Sequence, residues 1–420
     1  MKHVAVIGGG VVGLSTASAL LASGFEVSLI ERESAVAQGA SHANGGQLSY
    51  RYVSPLADAG VPLKALGWMC KQDSPQQFRV EFSLQQWSWI ARFLVHCTAR
   101  ANRITTDRLL RLGRLSQDTF SAVSMALPAA DIALRTPGKL VIYRSPGELA
   151  KAAASARNNG EAGSGEVSLL SPSECVTLEP ALADAKRLLV GGVFTRNEAV
   201  ADCQKFCHEL LARLNRESNF TLITSSAASS LVLRQNRLVA VQIGQREIAV
   251  TDAVIAAGLG SVDLAASVGL RLPIYPIKGY SLSAAIGPSH CAPDISVTDF
   301  EQKVLYARIG QQLRIAAMAD IVGNDVTVDP RRLNALKRIV RATLPNAGDY
   351  ANAVAWAGLR PSTPSGAPIL GATPISGLWL NVGHGPLGFT FASGSAHILA
   401  ELIAGRPSPI SLDGLSFGSA

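Results

Sequence analysis

Three groups of residues in this 420-residue chain have the types and spacing to do chemistry. The first is Gly8-Gly9-Gly10-Val11-Val12-Gly13, with the spacing Gly-x-Gly-x-x-Gly. It follows an apolar run, HVAVIG, and opens an Ala/Leu-rich run that Gly24 stops. In that setting Gly8 allows a tight turn and Gly10 lets backbone approach a pyrophosphate at the helix N-terminus. Gly13 lets helix and strand pack closely. Glu31 ends the next apolar run, where a carboxylate can accept the hydroxyls of an adenosine ribose that lacks a 2′-phosphate.

The second group is the segment 38–62, QGASHANGGQLSYRYVSPLADAGVP. It is too irregular for one regular element and too apolar at intervals for a flexible linker. Loops of this length inside a compact protein are usually functional. The third is Asn381-Val382-Gly383-His384-Gly385-Pro386-Leu387-Gly388-Phe389-Thr390, ahead of the last helical run. A helix N-terminus presented there stabilises negative charge, such as that of a reduced flavin near N1 and C2=O. The run VIAAGLGS at 254–261 is a further place where the chain can pass close to a dinucleotide. Gly-x-Gly-x-x-Gly alone does not separate NAD from FAD, but glycine clusters spread along the chain suit a long ligand threaded through a discontinuous domain.

Single side chains add to these groups. Arg360, in GLRP, offers a planar fork that matches a carboxylate in bidentate fashion. Holding that carboxylate would fix the Cα–H of an amino acid over flavin N5. The spacing alone leaves an ion-paired arginine beside a proline turn equally open. Tyr280, Tyr50 and Tyr306 carry phenols that could donate to the carboxylate or line a side-chain pocket, or sit half-buried in strands. His384 is either a proton acceptor or a structural residue of the glycine loop. Trp87, Trp89 and Phe93 share a helix with Arg92 and read either as core or as side chains entering a membrane interface.

The elements that must position these residues begin with a βαβ unit over 3–30. Residues 63–126 read as helical, 138–143 as a strand, 147–157 as a helix and 157–166 as a polar loop. Strands are expected at 188–195 and within 231–255, 271–286 and 303–318, with an amphipathic helix at 329–344. A Pro/Gly-rich stretch after 350 leads to a strand at 378–383 and a final helix near 392–405. The predicted class is α/β. A Rossmann-like FAD-binding domain would comprise 1–70, 190–270 and 350–420. An interleaved α+β substrate domain on a mixed or antiparallel sheet would comprise 71–189 and 271–349.

Composition excludes several alternatives. Hydrophobic residues make up 48% and charged residues 16%, which rules out a disordered chain. The net charge of +7 is scattered, with no basic run and no zinc-finger or RNA-binding signature, so nucleic acid is not an expected partner. The six cysteines, Cys70, Cys97, Cys175, Cys203, Cys207 and Cys291, form no CxxC pair, and no metal site is expected. Reduced thiols and an N-terminus without a cleavage pattern point to a cytoplasmic protein. No uncharged apolar stretch is long enough to cross a membrane.

The N-terminal GGGVVGLSTASALLASGFEVSLIER resembles the FAD-binding start of the D-amino-acid oxidase/glycine oxidase superfamily. The resemblance narrows at SHANGGQLSYRYVSPLADAGVPLKALGWM, YPIKGYSLS, WAGLRPSTPSGAPILG and LWLNVGHGPLGFTFASGS. Over roughly residues 3–410 the chain is similar to the bacterial FAD-dependent D-amino-acid dehydrogenases. The resemblance implies that Val11-Val12 and Glu31-Arg32 hold the pyrophosphate and adenosine ribose. It implies that Ser41, His42, Asn44, Gly45, Gly46, Gln47 and Leu48 run along the flavin, that Ala228 meets the adenine and that Gly258 backs the nucleotide. Residues His384 to Thr390, including Gly385, Leu387, Gly388 and Phe389, would supply N–H groups to the pyrimidine end, and Arg360 would bind the substrate carboxylate. The implied reaction is oxidation of a small D-amino acid to a 2-oxo acid and ammonia. Electrons would pass to a quinone or another carrier, with a peripheral membrane contact left open. Glycine, sarcosine, proline or hydroxyproline as substrate, or a flavin subunit of a larger complex, are the alternatives. The chain departs from family habit at Tyr50-Arg51, Leu56, Pro386, Phe389 and Phe391, where relatives usually carry Pro-Gly, Trp, Thr, Trp and Met. No cysteine follows Cys291, so FAD is expected to be noncovalent.

Overall fold

A computed structural model of the protein describes residues 2–62, 76–158 and 166–418. Cys70, the boundary at 70/71 and parts of the expected helical run and polar loop lie outside the described residues.

The opening run folds as expected. Strand His3–Ile7, helix Val11–Ala22 and strand Glu26–Ile30 form a parallel βαβ unit, with Val4 paired to Val27 and Ile7 to Ile30. Gly8 takes φ +115°, and a Cβ on Gly13 would lie 1.8 Å from the Gly8 carbonyl oxygen, so the strand–helix corner closes only with glycine at both positions. The unit seeds a six-stranded sheet in the order 369–372, 378–382, 252–255, 3–7, 26–30, 220–223. All neighbours are parallel except the first pair. Its inner strands are buried on both sides, which is why they read as continuous apolar runs rather than alternating ones. On one side pack helices Val11–Ala22, Ala99–Ser124, Cys203–Leu214 and Gly388–Ile403. On the other lies a small antiparallel sheet, 228–249.

The second large sheet has eight strands, ordered 354–362, 275–285, 312–320, 304–309, 296–299, 139–143, 191–195, 167–170. It is mixed, with one parallel pair between 296–299 and 139–143. One face carries helix Pro330–Thr343 over a core that includes Tyr280, Leu282, Tyr306 and Ile315. The other face borders the cavity described below.

Four features differ from the sequence expectation. The stretch after 350 is a nine-residue strand, Val354–Ser362, despite Gly358 and Pro361. It is an edge strand, where proline costs least. The final helix starts at Gly388, earlier than 392. Strands 191–195 and 354–362, expected with the FAD-binding unit, pair instead in the eight-stranded sheet. Helix Ala99–Ser124, expected with the substrate unit, packs on the six-stranded side, where Phe120 meets Phe206 at 5.4 Å and Phe389 at 6.0 Å between ring centroids. Sequence position does not dictate which sheet completes a strand's hydrogen bonds.

Candidate active site

A cavity of about 1120 Å³ lies between the carboxyl ends of the parallel strands and the free face of the eight-stranded sheet. Ligands in open α/β folds bind beyond the carboxyl ends of the strands.

Gly8, Gly10, Val11, Val12, Glu31, Arg32, Ala228 and Gly258 line one end. The first N–H groups of helix Val11–Ala22 have no intrahelical partner, and they face this space. The Val11 N–H donates to Ser41 Oγ at 3.0 Å, so the 38–62 segment is tied to the helix start. Glu31 is held in place by the N–H groups of Gly9 and Glu33. Gly13 stands behind the lining, packed on Gly8.

The middle is lined by Ser41, Asn44, Gly45, Gly46 and Gln47, and by Gly383 to Thr390 opposite. His42 is absent from this lining, with its ring bonded to Gln204 at 2.7 Å and 6.1 Å from Trp356. Leu48 is fully buried in the core on the other side of its strand. His384 is 3% exposed, shares a hydrogen bond of 3.1 Å with Ser395, and burial pushes its imidazole down to about 3. It is therefore neutral at any ordinary pH. Asn381 borders the cavity and donates to Thr16 Oγ1, while its own Oδ1 is buried without a partner among the described residues. Buried polar atoms are nearly always satisfied, so an unmet acceptor at a cavity wall asks for a donor from a ligand. A glycine-lined strand–helix corner, a ribose-height carboxylate, this acceptor and a second helix start together fit FAD.

At the far side stands Arg360. Its strand pairs with 275–285, Ile277 opposite Arg360 and Gly279 opposite Gly358. The guanidinium lies flat on Gly279, where an added Cβ would be 2.2 Å from Nη2, and Nη1 donates to the Met318 carbonyl at 2.8 Å. Burial lowers its pKa and nearby Asp320 opposes that shift, so the group stays cationic. Ala316, Met318, Trp356 and Gly358 line the cavity around it.

Tyr280 borders the cavity, but the rings of all three expected phenols pack into the cores, and for Tyr280 and Tyr306 strand alternation explains it. Arg360 and Gly279 share the cavity face. Tyr280 therefore points through to the opposite face, over Lys278 at 5.2 Å and toward Asp320 and Asp329 in a separate 130 Å³ pocket. Tyr306 likewise points under helix Pro330–Thr343, while its neighbour Leu305 borders the cavity. Tyr50 sits with Leu48 in the core, while Gln47 and Ser49 face the cavity. Sequence reasoning missed Lys139, Glu198, Ser49, Tyr52 and Trp356. Lys139 left a trace, a lysine opening the otherwise apolar strand KLVIY. Glu198, which accepts the N–H groups of Tyr50 and Arg51 at 2.8 and 3.0 Å, left none.

Residues 3–402 match the family model described as FAD dependent oxidoreductase. The chain is 44% identical to D-amino acid dehydrogenase 2 of Pseudomonas aeruginosa, over 99% of this chain and 98% of that protein. It is 42% identical to D-amino acid dehydrogenase 2 of Ralstonia nicotianae, over 96% and 97%. L-proline dehydrogenase from P. horikoshii superimposes with a TM-score of 0.77 at 16% identity, covering 99% of this chain and 96% of that one. With the model matching nearly end to end and the cavity built as its cofactor requires, the chain belongs to the FAD dependent oxidoreductase family.

Proposed function

We propose that the protein oxidises the Cα–N bond of small D-amino acids, giving an imino acid that hydrolyses to a 2-oxo acid and ammonia. The observation that carries this reading is the Arg360 guanidinium, presented on Gly279 inside the cavity that also holds the dinucleotide cradle. FAD, held noncovalently, supplies the acceptor for the hydride that leaves Cα.

Each residue then has a task. Gly8, Gly10, Val11 and Val12 receive the pyrophosphate, Glu31 and Arg32 the ribose, and Ala228 and Gly258 the adenosine side. Asn44 to Gln47 and the 384–390 turn hold the ring system. Arg360 binds the substrate carboxylate and fixes the direction of the Cα–H. Ala316, Ala317 and Met318 keep water from the reacting carbon. His384 stays neutral and shapes its turn rather than moving protons. An amine must be unprotonated for its lone pair to assist loss of hydride from Cα, so turnover should rise with pH.

The test is anaerobic mixing of the holoenzyme with D-, L- and N-methyl amino acids. Bleaching of the flavin by D-alanine carries the proposal. Bleaching only by sarcosine, glycine or proline moves the protein to the alternative substrate class. The physiological acceptor is read as a quinone or another carrier, tested by turnover with each.

A peripheral contact with a lipid surface belongs to the same reading. Helix Leu84–His96 buries Trp89 and Phe93 but exposes Leu84, Trp87, Leu94 and Val95, with Arg92 on that side. Residues 82–106 contain Arg92, Arg100 and Arg103 and no acid, a basic apolar surface suited to anionic lipid. Among the described residues no helix is long and apolar enough to cross a membrane. Co-sedimentation with anionic but not neutral vesicles, lost in Trp87→Ser/Leu94→Ser, tests the contact.

A further inference from the structure

Beyond Gln47 and Ser49 the cavity continues along the eight-stranded sheet to an end that the reading above leaves unused. Lys139, Tyr52, Thr298 and Phe300 line it. Lys139 is 2% exposed, and its ammonium donates to Gln47 Oε1 and Ser49 Oγ, each at 2.8 Å. It stands 4.2 Å from the centre of the Tyr52 ring. Those two bonds use two of its three hydrogens. Thr298 is 8% exposed, and its hydroxyl is buried without a hydrogen-bond partner among the described residues. A buried charge and an unmet hydroxyl on one cavity wall are both costly in an apolar setting, and a ligand oxygen would meet both.

A small amino acid at Arg360 cannot be that ligand. The guanidinium lies over the strands 275–285 and 312–320, and the Lys139 strand is three places further along the sheet. At ~4.8 Å per strand that is ~14 Å. The two carboxyl carbons of a five-carbon dicarboxylic amino acid are about 5 Å apart, four C–C bonds of ~1.5 Å. Glu198 fixes the other side of the same segment through Tyr50 and Arg51 N–H. Burial pushes the Lys139 ammonium down and the Glu198 carboxyl up, and each opposes the shift of the other.

We propose that the Lys139–Thr298 end is a second ligand subsite, for a planar molecule whose carbonyl or carboxylate oxygen meets the Lys139 ammonium and the Thr298 hydroxyl against the Tyr52 and Phe300 rings. Two sources share that chemistry: a quinone electron acceptor, and an aromatic or 2-oxo acid. The choice between them rests on the proposed function; the subsite does not.

Calorimetric titration of the holoenzyme with tetramethyl-benzoquinone and with benzoate, no amino acid present, tests the subsite without turnover. The wild type should bind at least one probe. Lys139→Met should weaken it roughly tenfold or more and Thr298→Val roughly fivefold; Arg360→Lys should leave the quinone affinity within about twofold and, for benzoate, remove only a separate binding event at the Arg360 carboxylate site. Binding of the quinone alone names the acceptor, and binding of benzoate alone names the acid. The proposal is overturned if neither probe gives a binding event that survives Arg360→Lys, or if both variants bind as the wild type does. Thr298→Val, nearly isosteric, keeps the test valid should Lys139→Met lose its flavin. A failed proposed function shows in anaerobic flavin reduction, a separate assay.

Discussion

The two ends of the cavity are built on different principles. At the nucleotide end the backbone makes the site: glycines open the space, and N–H groups of a helix start face it. At the sheet end side chains make the site, and which face each takes depends on strand parity, so that the Arg360 guanidinium lies on the cavity face while the Tyr280 ring packs in the core on the other, although Tyr280 borders the cavity. Backbone sites tolerate almost no added atom, whereas side-chain sites tolerate shape changes but not a reversal of face.

That contrast predicts unequal consequences of mutation. The largest effect is expected at Gly13. A valine there would drive its Cβ into the Gly8 carbonyl, at 1.8 Å. Gly13→Val should purify without flavin or not fold, measured as the flavin-to-protein absorbance ratio and Tm. Retention of stoichiometric flavin would break the comparison at its strong end.

Arg360→Lys comes next. It keeps the charge but loses the fork, so kcat/KM for D-alanine should fall roughly 100-fold, about 3 kcal/mol. Flavin content and Tm should stay near wild type, because the residue belongs to the side-chain end. Steady-state kinetics beside a thermal melt separates the two.

The third effect is on stability. The folded pKa of His384, about 3, lies below its unfolded value of 6.5. The neutral form is favoured by folding, so its contribution is full above pH 6.5 and is lost as pH falls toward 3. Between pH 7 and pH 4.5 that amounts to about 2.5 kcal/mol. The stability gap between wild type and His384→Gln should narrow by that amount in denaturant titrations, with no inflection in activity from this residue at neutral pH.

The smallest effect is expected at the phenols on the opposite face. Tyr280→Phe and Tyr306→Phe should leave KM for the amino acid within about threefold, since single hydrogen bonds outside the cavity contribute little there. A larger rise in KM than Arg360→Lys gives would place Tyr280 in the substrate site and undo the parity argument.

The same contrast explains what could be read from the sequence. The βαβ corner, Glu31, the 38–62 segment and the 381–390 turn were legible because their signal is local: glycine spacing and its flanking periodicity. The strand 354–362 was hidden by Gly358 and Pro361, which are tolerated at the sheet edge. The side chains of Leu48, Tyr280 and Tyr306 take the face away from the cavity, which composition does not reveal. Lys139 and Glu198 lie 59 positions apart and meet the same segment, 47–51, through tertiary contacts alone.

Anaerobic mixing of the holoenzyme with D-alanine, and separately with L-alanine, bears most directly on the central claim. D-alanine should abolish the oxidised flavin absorbance, roughly 100-fold more slowly in Arg360→Lys at subsaturating substrate, and L-alanine should leave it unchanged. Flavin that stays oxidised with D-alanine, or is bleached equally fast in Arg360→Lys, would contradict that claim.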